Sequence, residues 1–115
     1  MSVDDLHTDV REFCEKRDWE QYHTPKELAI GMVTESSELL EQFRFKSRSE
    51  QSDLVTDSSS AEAIEDELAD VLFFVLRFAD LYDIDLDEAL RSKLEKNRAR
   101  YPVSEYKGCN KKYDE

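Results

Sequence analysis

EDELADVLFFVLRFAD, running from Glu65 to Asp80, is the stretch whose reading decides the fold. Asp70 is followed by Val71, Leu72, Phe73, Phe74, Val75 and Leu76, and Ile64 and Val71 lie one helical turn on either side of Glu67. The run is too apolar for a solvated face, and its length suits a helix better than a strand. A helix that is hydrophobic on nearly every side is buried by several neighbours. The rest of the chain must therefore supply partner helices, and a second subunit must share the excess.

Two carboxylates stand inside this stretch, Glu67 and Asp70, three residues apart. The same spacing recurs upstream in TESSELLEQF, as Glu35 and Glu38. Residues three apart share one helical face, so two such helices side by side would pool four carboxylates. Ionised carboxylates in apolar surroundings cost several kcal/mol unless paired, protonated or metal-bound. Hard divalent cations take oxygen ligands, and Mg²⁺ is commonly shared between protein carboxylates and substrate phosphates. The four residues thus point to Mg²⁺, or Mn²⁺, and to nucleotide-phosphate chemistry. The competing reading is a non-catalytic acidic interaction module, because 28 Asp and Glu in 115 residues generate such spacings on solvated helices too.

Other chemistries find less support. The only histidines, His7 and His23, sit in no Ser or Cys nucleophile signature. Di-iron bundles use Glu-x-x-His pairs, and neither acidic pair has its histidine. A net charge of −12 argues against nucleic-acid and anionic-membrane binding. No signal peptide or membrane span is visible, since Arg77 cuts the longest apolar run and a span needs about 20 residues. Cys14 and Cys109 lie far apart without metal spacing, which fits free thiols and a cytoplasmic location.

Helical periodicity organises the remainder into one all-α domain. Leu6, Val10, Phe13 and Cys14 mark a first helix to about Arg17, capped by Ser2 or Asp4. Thr24, Pro25 and Glu27 open a second, reaching about Phe45. Residues 46–60 are serine-rich and aperiodic, which reads as an exposed loop, either moving over a substrate or disordered. Ser59 with Glu62 starts the third helix, through about Tyr82. Asp85 with Glu88 starts the fourth, which ends before Pro102. The expectation is a four-helix bundle over 1–102 that assembles as a dimer or tetramer, with a polar tail at 103–115 that is floppy unless it contacts substrate or a subunit.

Four segments together resemble the MazG-type all-α nucleoside triphosphate pyrophosphohydrolases, in particular their dCTP pyrophosphatase branch. They are RDWEQYHTP (Arg17–Pro25), TESSELLEQFRFK (Thr34–Lys46), EDELADVLFF (Glu65–Phe74) and SKLEKNRARYP (Ser92–Pro102). The family pattern is E-x-x-E, a gap, then E-x-x-D. The resemblance implies Mg²⁺-dependent hydrolysis of a deoxynucleoside triphosphate, dCTP or a related noncanonical nucleotide, to monophosphate and pyrophosphate as nucleotide-pool house-cleaning. Residue by residue it makes Glu35, Glu38, Glu67 and Asp70 the metal ligands. Lys93 and Asn97 match the family's K-x-x-x-N phosphate contact, with Arg98, Lys111, Lys112 and Tyr113 as further candidates. Trp19, His23, Phe45 and Phe74 match positions near the base. Phe45 replaces a Trp of the mammalian members, Phe74 a Tyr and Val10 a His, so the polar groups that read the base are fewer here. Thr34 stands where some members carry an extra Glu, which leaves the general base unassigned.

Overall fold

Helix α4, Ser58–Leu81, is the element on which the first part of the molecule is built. The computed structural model describes residues 2–115. Asp57 caps α4 by accepting from the Ser59 N–H at 3.0 Å, so the helix starts slightly earlier than the Ser59 and Glu62 pattern predicts. Three helices pack on it: α1, Val3–Lys16, α2, Pro25–Glu41, and α3, Arg48–Thr56, with α2 making the most extensive contact. A 3₁₀ turn, Glu20–Tyr22, joins α1 to α2.

The starts of these helices follow from local chemistry. Ser2 and Asp5 form a reciprocal capping box on α1. Thr24 accepts from the Glu27 N–H at 3.3 Å, and Pro25 occupies the first turn of α2, where its missing N–H costs nothing. Helix α2 stops at Glu41 rather than Phe45. Residues 42–45 wind into turns that end on Phe45 at φ 63°, a left-handed conformation costly for a bulky residue.

The polar stretch 46–60 is not a loop. Ser47 and Glu50 form a second capping box and open α3. Leu54 is its half-buried contact, and Ser60 Oγ donates to the Leu54 carbonyl at 2.7 Å. A short helix with one apolar anchor has too little periodicity to reveal itself, so the stretch reads as a loop.

The described residues comprise six helices rather than four, without strands. They divide into two compact units, one ending at Tyr82 and one spanning Asp83–Glu115. In the second, Asp85 caps α5, Leu86–Arg100, by accepting from the Glu88 N–H. Pro102 ends it and leads into α6, Val103–Tyr106. The tail carries an aromatic cluster. The Tyr101 ring meets Tyr106 and Tyr113 edge-on, the Tyr113 N–H donates to the Tyr101 hydroxyl, and Arg100 lies over the Tyr113 ring. No helix among the described residues is long and apolar enough to cross a membrane.

Few side chains are fully buried: Cys14, Leu28, Leu76 and Ala79, together with Arg77. Phe73, Phe74 and Phe78, expected to exceed what one chain can cover, are half-buried. Apolar side chains left exposed include Ile30, Val33 and Leu40 of α2 and Leu68 and Leu72 of α4.

Candidate active site

The seam between α2 and α4 gathers the acidic residues. Glu35 and Glu38 share a face of α2, Glu67 and Asp70 a face of α4. Carboxylate oxygens of Glu35, Glu38 and Glu67 lie within 4.8 Å of one another. Asp70 is exposed and stands outside this trio, although its charge acts on both Glu35 and Glu67.

The electrostatics are those of a cluster lacking a counter-charge. Glu35 Oε2 and Glu67 Oε2 are both buried without a hydrogen-bond partner. The Glu35 carboxyl is pushed up to about 7, chiefly by hydrogen bonding with the facing Glu38 carboxyl, then through desolvation and the neighbouring negative charges. Glu67 is raised as well, first by desolvation and then by Glu38. Buried acceptors without donors are expensive. An all-oxygen set with orphaned lone pairs fits a hard divalent cation.

Beside the acids runs a chain of rings. Trp19 meets Phe13 edge-on at 5.5 Å and His23 at 6.3 Å, Phe13 meets Phe73 at 6.0 Å, and Phe73 meets Phe74 at 5.3 Å. Three of the four aromatic positions expected near a base therefore belong to one connected array. Phe74 lies one turn beyond Asp70 on α4. Its ring occupies the space over Gly31 of α2, where a Cβ would come within 2.4 Å. Gly31 itself is one turn before Glu35, so the array reaches the acidic seam. Phe45 does not join it: the side chain is 90 % exposed, with the Arg44 guanidinium 4.7 Å from its ring.

The remaining candidates belong to the second unit. Lys93 is exposed on α5, and half-buried Asn97, one turn on, accepts the Tyr101 N–H through its main-chain carbonyl. Lys112 is exposed in the tail, and Tyr113 packs in the tyrosine cluster. Arg98 pairs with Glu95.

Residues that sequence reasoning passed over also emerge. Arg77, which looked like a mere interruption of an apolar run, is buried and donates to His23 Nδ1 at 3.0 Å. Asp80 pairs with Arg11 of α1 and stands 3.7 Å from Arg77. The only signal was an Arg and an Asp three apart on an otherwise apolar face.

Comparisons with known proteins bear on the family and the fold. The model of the MazG-like family matches residues 30–115. The chain is 37% identical over 112 residues to dCTP pyrophosphatase 1 of Mus musculus, covering 97% of this chain and 66% of that protein. Identity to dCTP pyrophosphatase 1 of Homo sapiens is 34% over 114 residues, covering 99% and 67%. The chain thus spans about two thirds of the length of these curated relatives. A crystal structure of a pyrophosphatase from Archaeoglobus fulgidus superposes with a TM-score of 0.79 at 38% identity, covering 86% of this chain and 91% of that one. With its acidic helix pairs, its all-helical fold and this extent of similarity, the chain belongs to the MazG-like family.

Proposed function

We propose that this chain is a nucleoside triphosphate pyrophosphohydrolase that converts a deoxynucleoside triphosphate, dCTP or a related noncanonical pyrimidine nucleotide, to its monophosphate and pyrophosphate. The observation that carries the reading is the carboxylate cluster of the α2–α4 seam, with two buried, unpartnered oxygens. The names of the relatives support the substrate class.

Glu35, Glu38, Glu67 and Asp70 would hold Mg²⁺. Such a cation supplies screening of phosphate charge and acidification of water. The chain's own residues do the rest. Trp19, His23 and Phe74 offer a wall on which a base can stack. Phe45 offers a ring from the turn after α2. Lys93, Asn97, Lys112 and Tyr113 would meet phosphate oxygens. Water adds at the α-phosphorus, and the α–β anhydride breaks. The exposed apolar side chains of α2 and α4 are covered by a second copy, giving a homo-oligomer. Free Cys14 and Cys109 fit the reducing cytoplasm this reading places it in.

The direct test is product analysis with the four common deoxynucleoside triphosphates, with Mg²⁺ and with chelator. Release of pyrophosphate and a monophosphate, dependent on Mg²⁺ and fastest for a pyrimidine, is expected. Absence of hydrolysis of every nucleotide under Mg²⁺ and Mn²⁺ would return the acidic seam to the interaction-module reading.

A further inference from the structure

Arg77 sits in the most apolar stretch of α4, yet it is only 1% exposed. Burying a guanidinium is costly unless its donors and its charge are both answered. Here the answer is partial. Nε–H donates to His23 Nδ1 at 3.0 Å, Nη1 lies 3.7 Å from Asp80 Oδ2, and Nη2 is buried without a partner. Asp80 is shared, because Arg11 also donates to it through Nε at 3.0 Å. One carboxylate facing two guanidiniums leaves a net positive charge beside the imidazole.

This arrangement decides where His23 carries its proton. An N–H aimed at Nδ1 requires a lone pair there, so the neutral ring is protonated on Nε2. Desolvation and then the Arg77 charge hold His23 below the usual histidine range. The other ionisable groups around this cluster are His7, Cys14, Glu15 and Arg17. The ring is also held in place. The His23 main-chain N–H donates to the Glu20 carbonyl, its main-chain carbonyl accepts from the Tyr82 hydroxyl at 3.0 Å, and Trp19 meets the imidazole edge-on.

We infer that Arg77 is a positioning residue for base recognition: its bond to Nδ1 locks half-buried His23 as an Nε2–H donor beside Trp19. The ligand class this favours is a flat base with a lone pair on its exposed edge, as on the N3–O2 edge of cytosine. The inference rests on the nucleotide reading above and adds a polar contact to a wall that otherwise only stacks. A donor fixed in advance binds without the entropy cost of ordering a free imidazole.

The test begins with the full chain labelled with ¹⁵N at its two histidines. Long-range ¹⁵N–¹H spectra report tautomer and protonation directly, and His7→Gln identifies the His23 signals. A bare Nδ1 and a protonated Nε2 should persist as the pH falls from about 8 to about 6.5, the ordinary histidine pKa. An Nδ1–H tautomer, or ordinary titration near that value, overturns the inference. Arg77→Lys keeps a cation but loses the planar Nε–H. It should mix the tautomers and raise KM for dCTP about tenfold with kcat little changed, the pattern of lost uniform binding. His23→Gln retains an acceptor for Arg77 and a donor, and should bind better than His23→Phe. Unchanged KM in Arg77→Lys despite mixed tautomers, or equal losses for Gln and Phe, removes Arg77 from recognition. If Arg77→Lys does not fold, the wild-type spectra and the Gln and Phe pair decide. A chain that hydrolyses no nucleotide defeats the proposed function, whereas the His23 spectra test the lock separately.

Discussion

Glu38 is the carboxylate whose neighbours depend on it most: its proximity is the first cause of the raised Glu35 and the second for Glu67. Glu38→Gln keeps size and helix propensity but removes a charge that a cation needs. Turnover should fall by more than about a hundredfold while circular dichroism stays unchanged, because several kcal/mol of charge stabilisation are lost. Near-normal turnover would remove Glu38 from the ligand set. Gly31 presents a different balance. Alanine there gains about 1 kcal/mol of helix propensity, but its Cβ drives into the Phe74 ring, and overpacking costs about 1–3 kcal/mol. Gly31→Ala should therefore lower the melting temperature, and a second change, Phe74→Leu, should recover part of the loss. A melting temperature above wild type would show that the ring yields freely.

Between α2 and α4, stability is linked to pH through the acidic seam. Glu35 in the folded chain sits at about 7 against an ordinary 4.5. A raised folded value means that its contribution is fully present below about 4.5 and is lost as the pH rises through about 7. Without metal, the chain should melt at progressively lower temperature across that window, and Glu35→Gln should flatten the dependence. Because a ligand of the native state alone stabilises it, millimolar Mg²⁺ should restore the loss above pH 7. Melting curves with chelator and with Mg²⁺, for both proteins, check this. The opposite shift of Asp80, held below 3.8 by its bond to Arg11, acts only at lower pH and leaves the window clear. Identical wild-type and Glu35→Gln slopes would contradict the cluster's electrostatics.

For the whole molecule, the decisive quantity is the apolar surface left open. Val33 is 70% and Leu40 64% exposed on α2, and Leu68 is 58% exposed on α4. Large apolar side chains left this open on two neighbouring helices favour association. The chain should form a symmetric oligomer, and Val33→Asp should weaken it. Light scattering that finds wild type as a 13.5 kDa monomer at micromolar concentration would overturn this. What the sequence by itself determined about this protein was the part written in local rules: helix periodicity, the Thr24 and Asp85 caps, the stop before Pro102, and two carboxylate pairs, each confined to one helical face. Short-range spacing encodes all of these, because a helix repeats every 3.6 residues. Helix α3 went unread although its Ser47 and Glu50 box is local, since its anchoring Leu54 needs α4. Tertiary structure alone decided that Glu35, Glu38 and Glu67 converge while Asp70 stands aside, that Phe45 leaves the aromatic array, and that Arg77 reaches His23 across 54 residues. Those outcomes depend on which helix faces meet and at what depth, and burial at a meeting face is a property of the packed chain rather than of any segment within it.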